Sequence, residues 1–223
     1  DLTIRELARP FFTLTYEGDR LKRSRLEVHV LVRDENDLVS EADLETVTLN
    51  RNDTPYWTGS YYLTANEVQE SGYPFIKTYS FRDPVINGAL PLEDEGTYTS
   101  LLKLVAKHTG NSLEIITYPA WYHSGIDTLD QDDDFFSNTY IDEWNFREIQ
   151  EETESDINDI PLTSEQILTE ILELTDSYLI QVGHRWHVVQ HDALASWDSG
   201  GVYSSENSFN VFKYAALGGT IGS

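Results

Sequence analysis

Apolar and polar positions alternate along this chain in two rhythms, one of period two and one of period 3.6. The strongest pattern runs from Thr163 to Asp192. Ile167, Leu168, Ile171, Leu172 and Leu174 recur at the spacing of a one-faced helix. Thr163 or Ser164 can cap its start, and Glu165 and Gln166 fall in the first turn, near the positive end of the helix dipole. Two β-like runs, from Tyr178 to Val182 and from Arg185 to Gln190, flank Gly183-His184. The spacing predicts a helix feeding a hairpin.

A second helix is predicted from about Tyr98 to His108, with Leu101, Leu102, Leu104 and Val105 as its stripe and Gly110 as its C-terminal cap. The strand from Leu113 to Tyr118 follows. Aligned without gaps, Leu101-Leu102 falls on Ile167-Leu168, Val105 on Ile171, Thr109 on Thr175 and Leu113 on Leu179. An internal duplication and two ordinary amphipathic helices both fit this match.

Elsewhere the period is two. Phe11 to Tyr16 reads as a strand, followed by the turn Glu17-Gly18-Asp19. Leu26, Val28, Val30 and Val32 share one strand face, as do Phe75, Lys77, Tyr79 and Phe81. Residues 34–60 read as irregular, apart from a strand at Leu44 to Leu49 and turn chemistry from Asn50 to Pro55. Residues 119–162 read as polar and irregular, with Glu148 to Asp159 an acidic connector. Phe209 to Tyr214 is a last strand beyond a Ser/Gly-rich loop. The predicted class is α+β, strand-rich and mostly antiparallel, with two helix–turn–strand units. The predicted division is 1–90 as a strand-rich N-terminal domain, 91–195 as the α+β domain, and 196–223 as a C-terminal strand and linker.

Composition narrows this picture. The 223 residues carry a net charge of −24, which opposes casual binding to nucleic-acid phosphates or anionic membranes. Solubility or a salt-rich source explains such charge equally well. There is no cysteine, hence no disulfide or thiolate metal site, and no methionine, so the chain is expected to be processed or cut from something longer. No apolar run reaches the roughly 18 residues of a membrane span, so no stable membrane insertion is expected.

Candidate chemistry is sparse. Asp130, Asp132 and Asp134 fit the first three ligand positions of a calcium loop, but Phe135 stands where its glycine belongs and Ile141 where its closing glutamate belongs. His184, His187 and His191 cluster in sequence. On a strand the last two share a face but lie roughly 13 Å apart, too far to share a metal. No metal or other cofactor is therefore expected. Trp57, Tyr61, Tyr62, Trp121 and Tyr122 can stack on sugars or pack in a core. Lys22, Arg23 and Arg25 form a basic cluster that suits a solvated strand or an acidic neighbour. No nucleophile elbow, phosphate loop or dinucleotide fingerprint occurs, and no catalytic residue is predicted.

The run Leu162-Thr-Ser-Glu-Gln-Ile-Leu-Thr-Glu-Ile-Leu172, followed by Tyr178-Leu-Ile-Gln-Val-Gly-His-Arg-Trp-His-Val-Val189, resembles a segment of phage tail hub proteins, also called tail-associated or baseplate hub proteins. Thr97 to Ile116 resembles the preceding helix and strand of that family, and the connector from Trp144 to Ser155 sits where the family has its long link. The resemblance spans roughly residues 75–195. It departs at the family's short Asp-Gly signature, where Asn87-Gly88 or Glu95-Gly96 would have to stand in.

The resemblance implies a structural protein of the virion, at the tail tip. It implies a homotrimeric ring that closes the tail tube. The ring would join a tube or distal tail protein to fibre or spike parts, and DNA would pass without specific binding. The exposed strands at either end of the chain are then the candidate interface, with Phe12, Leu14 and Tyr16 on the first and Phe209, Val211 and Phe212 on the last. The competing expectation is a secreted, salt-adapted domain that binds or hydrolyses carbohydrate through its Trp/Tyr clusters and a carboxylate pair.

Overall fold

The computed structural model describes residues 11–40, 44–62, 72–110, 113–119, 134–153, 156–191 and 212–214. The chain is strand-rich, its pairings are mostly antiparallel and its helices are few. It forms two compact units. The first comprises Asp1–Gly18, Lys22–Pro84 and Gln181–Arg185, and the second Asp19–Leu21, Val85–Ile180 and Trp186–Ser223.

The first unit is built on β1 (Phe11–Glu17), β2 (Leu21–Val32), β3 (Thr46–Arg51), β4 (Thr54–Tyr61) and β5 (Phe75–Arg82). They lie in the order β1-β2-β5-β4-β3, with every neighbouring pair antiparallel. Alternation on β2 buries Leu26, Val28 and Val30 in a core with Leu44, Val47, Leu49, Trp57, Tyr79 and Phe81. Trp57 is 0% exposed, and its ring lies where a Cβ on Gly59 would go, against the Arg82 carbonyl. Its indole Nε1 donates to Ser24 Oγ at 2.8 Å. The buried Asp83 carboxylate accepts from the Ser24 amide, from Ser24 Oγ and from Arg23 Nε.

Much of the 34–60 stretch expected to be irregular is the β3–β4 hairpin. Its two-residue loop, Asn52-Asp53, has φ of 53° and 61°, a left-handed turn that these residues tolerate. On β3 the positions between the buried ones are Thr46, Thr48 and Asn50, and on β4 Gly59 adds no side chain inward. Period two is therefore muted in the sequence.

The second unit begins with β6 (Tyr98–Ser100), α1 (Leu101–His108), β7 (Glu114–Tyr118), the single-turn α2 (Phe135–Asn138) and β8 (Tyr140–Asp142). It continues with β9 (Arg147–Thr153), β10 (Asp156–Pro161), α3 (Ser164–Leu174), β11 (Ser177–Val182), β12 (Arg185–Gln190) and β13 (Phe212–Tyr214). The strand order is β13-β7-β12-β11. Helices α1 and α3 pack on one another and share a core with Leu113, Ile115, Phe136, Phe146, Leu179, Trp186 and Val188. Ile167, Leu168, Ile171 and Leu172 are fully buried, each contributing on the order of 1.5–3 kcal/mol. Thr163 caps α3 in a capping box with Gln166, and Ser100 Oγ accepts from Lys103 N to cap α1.

Three expectations change here. Helix α1 starts at Leu101, because Tyr98–Ser100 pairs with β8. Leu174 is 68% exposed, since it closes α3 beyond the buried stripe. The acidic connector is the antiparallel hairpin β9–β10. A hairpin polar or charged at most positions lacks the apolar alternation by which a strand is read.

Candidate functional site

Strand β1 pairs along its backbone with β2 and, among the described residues, with no other strand. Among the described residues its far side is an open sheet edge. The strand carries neither Pro nor Lys, the usual guards against edge pairing. The three interface residues predicted on it share one face, in register with Val28, Leu26 and Ser24. Leu14 packs on the margin of the core, whereas Phe12 is 49% exposed. Tyr16 donates its hydroxyl to the Gln181 carbonyl at 3.1 Å. Burial raises the Tyr16 pKa, and the nearby Tyr56 and Asp83 add to the effect.

The opposite face holds residues that sequence reasoning passed over. Phe11 is 58% exposed and stacks on the His29 ring at 4.4 Å. Leu31 pairs with Ile76, and both are exposed. The signal was present in parity. Leu31 and Ile76 are apolar at positions out of phase with the buried faces of β2 and β5.

Among the described residues the order leaves β3 as the other edge of the first unit. In the second unit β13 ends the order, with Phe212 opposite Thr117 on β7. Phe209 and Val211 lie outside the described residues.

Charge divides unevenly. The first unit has 14 acidic and 10 basic residues, net −4, and the second has 25 and 5, net −20. The basic cluster is engaged within its own unit. Lys22 donates to the Gly18 carbonyl, Arg23 pairs with Asp83, and Arg25 pairs with Glu27.

The other candidate residues have local partners. Asp134 is buried, caps α2 and accepts from Thr117 Oγ1. Asp130 and Asp132 lie outside the described residues. His184 sits at the β11–β12 turn with φ of 60° and Nδ1 2.9 Å from Thr58 Oγ1. His187 stacks on Tyr118, and His191 Nδ1 lies 2.7 Å from Arg20 and 3.2 Å from Asp176. Among the described residues no group of three or more His, Asp or Glu could hold a metal ion. Of the two uses open to it, Trp57 takes the core and offers no ring to a sugar. Tyr61 packs edge-on against Phe81, and the Tyr62 ring is covered by the Arg82 guanidinium at 3.9 Å. Trp121 and Tyr122 lie outside the described residues. No helix among the described residues is long and apolar enough to cross a membrane.

No protein-family model, curated protein or solved structure matches the chain.

Proposed function

We propose that the chain is a structural, non-catalytic protein of a phage-like tail tip, a baseplate hub that closes the tail tube as a homotrimer. The observation that carries this reading is β1, an unguarded edge strand with Phe11 exposed on one face and Phe12 on the other. Such a strand satisfies its open backbone groups by adding to a strand of another chain. The partners are then further copies of the chain, a tube or distal tail protein, and a fibre or spike protein.

The charge distribution supports the same reading. A unit of net −20 repels phosphate, which suits a wall past which DNA moves without sticking. The fold class that goes with it is α+β, built on two helix–turn–strand units, α1–β7 and α3–β11.

Light scattering of the full chain tests the proposal. A native mass of three chains supports it, and a monomer at every concentration overturns it.

A further inference from the structure

Resting on that reading, we propose that the copies join head to tail, with β1 of one copy adding to β3 of the next as parallel strands. Four antiparallel pairings connect β1 to β3 through β2, β5 and β4. The two edge strands therefore run in the same direction. A rotation that places identical copies side by side brings β1 against β3 in parallel, and repetition of that step closes a ring. Pairing β1 with β1 instead makes a two-fold dimer and leaves both β3 edges open.

The side chains match in this register. Phe12 and Leu14 lie on the core face of β1, and Val47 and Leu49 lie on the core face of β3. Both pairs are spaced by two residues. With Phe12 opposite Val47 and Leu14 opposite Leu49, the apolar face runs on from copy to copy. Phe12, half exposed in the single chain, is then covered. On the outer face Thr13 and Thr15 meet Thr48 and Asn50, all polar and uncharged. Tyr16 falls opposite Arg51, whose guanidinium can lie on its ring.

Charge selects the first unit as the place where copies meet. At net −4 it opposes a second copy of itself far less than the second unit does at net −20.

The chain has no cysteine, so introduced thiols report a single contact. The test mixes Thr15→Cys chains with Asn50→Cys chains under mild oxidation. Both positions are exposed, and neighbouring strands place such residues about 5 Å apart, within disulfide reach. The proposal expects a covalent dimer in the mixture and none with either variant alone. It expects covalent trimers from the double variant. Phe12→Glu is expected to shift the untagged assembly toward monomer.

Self-linking of Thr15→Cys alone would overturn the proposal in favour of a two-fold dimer, as would a link within one chain of the double variant. An oligomeric native mass with no link in the mixture would also overturn it while leaving the tail reading intact. A native monomer at every concentration would remove both.

Discussion

Thr109 and Thr175 end their helices with the same bond. Each hydroxyl donates to the carbonyl four residues back, Val105 O in α1 and Ile171 O in α3, at 2.8 Å in both cases. Each threonine is buried. The next residue is left-handed in both, Gly110 at φ of 80° and Asp176 at 46°. Three residues further on, Leu113 and Leu179 enter the core. Thr109→Val and Thr175→Val should therefore have matching effects. Each should destabilise the chain by about 1–2 kcal/mol, read from urea unfolding midpoints. A large effect at one site and none at the other would mean that the two ends are alike in shape alone.

His108 gives the second unit a pH dependence. It is fully buried, with Nδ1 3.0 Å from Ser164 Oγ and, among the described residues, no hydrogen-bond partner at Nε2. Burial, helped by the Lys107 charge and opposed by Glu143, lowers its pKa from 6.5 to about 4. Below pH 6.5 the unfolded chain takes up a proton that the folded chain refuses. Stability should thus fall as pH drops from 6.5 to about 4, with a slope of about 1.4 kcal/mol per pH unit from this group. His108→Gln should remove that part of the slope. Unfolding curves of both proteins across this window decide the matter, and identical slopes would exclude His108 as the cause.

Glu143 acts in the same direction at lower pH. Burial disfavours its charge, but bonds from Lys107, Thr99 and the Glu93 amide outweigh it and hold the carboxyl below its ordinary value. The stabilisation is present above the unfolded carboxyl pKa and is lost as pH falls through the folded one. Glu143→Gln should flatten the acid limb of the stability curve. Denaturation midpoints measured down to pH 3 would show it, and an unchanged limb would rule the group out.

In the first unit, Asp83 and Gly59 hold Trp57 in place. Asp83→Ala takes the acceptor from the buried Ser24 amide, at about 1–3 kcal/mol. Gly59→Ala sets a methyl group against the Trp57 ring and the Arg82 carbonyl, at about 1–3 kcal/mol. Either change should expose Trp57 at lower denaturant, seen as a red shift in tryptophan emission. A wild-type midpoint for both would contradict this packing.

These sites show what the sequence could and could not reveal. The α3–β11–β12 segment was legible because Ile167, Leu168, Ile171 and Leu172 face one core and Gly183-His184 forms a two-residue turn. The β9–β10 hairpin was not, because backbone pairing of charged residues leaves no mark on hydrophobic periodicity. The fate of Trp57 was equally hidden. Burial and sugar stacking ask for the same residue, and Ser24, itself held by Asp83, reaches its indole only through the fold. Open edges were partly legible. The aromatic run of β1 suggested one, but the edge at β3 follows from the strand order, which pairs β2 with β5 across a long gap in sequence.

In the proposed assembly, copies of the chain join through their strand edges into a closed ring. The most direct measurement is electron microscopy of the full chain at a concentration where light scattering gives a stable mass. Closed rings with three-fold symmetry are expected. Isolated single chains at high concentration would contradict it.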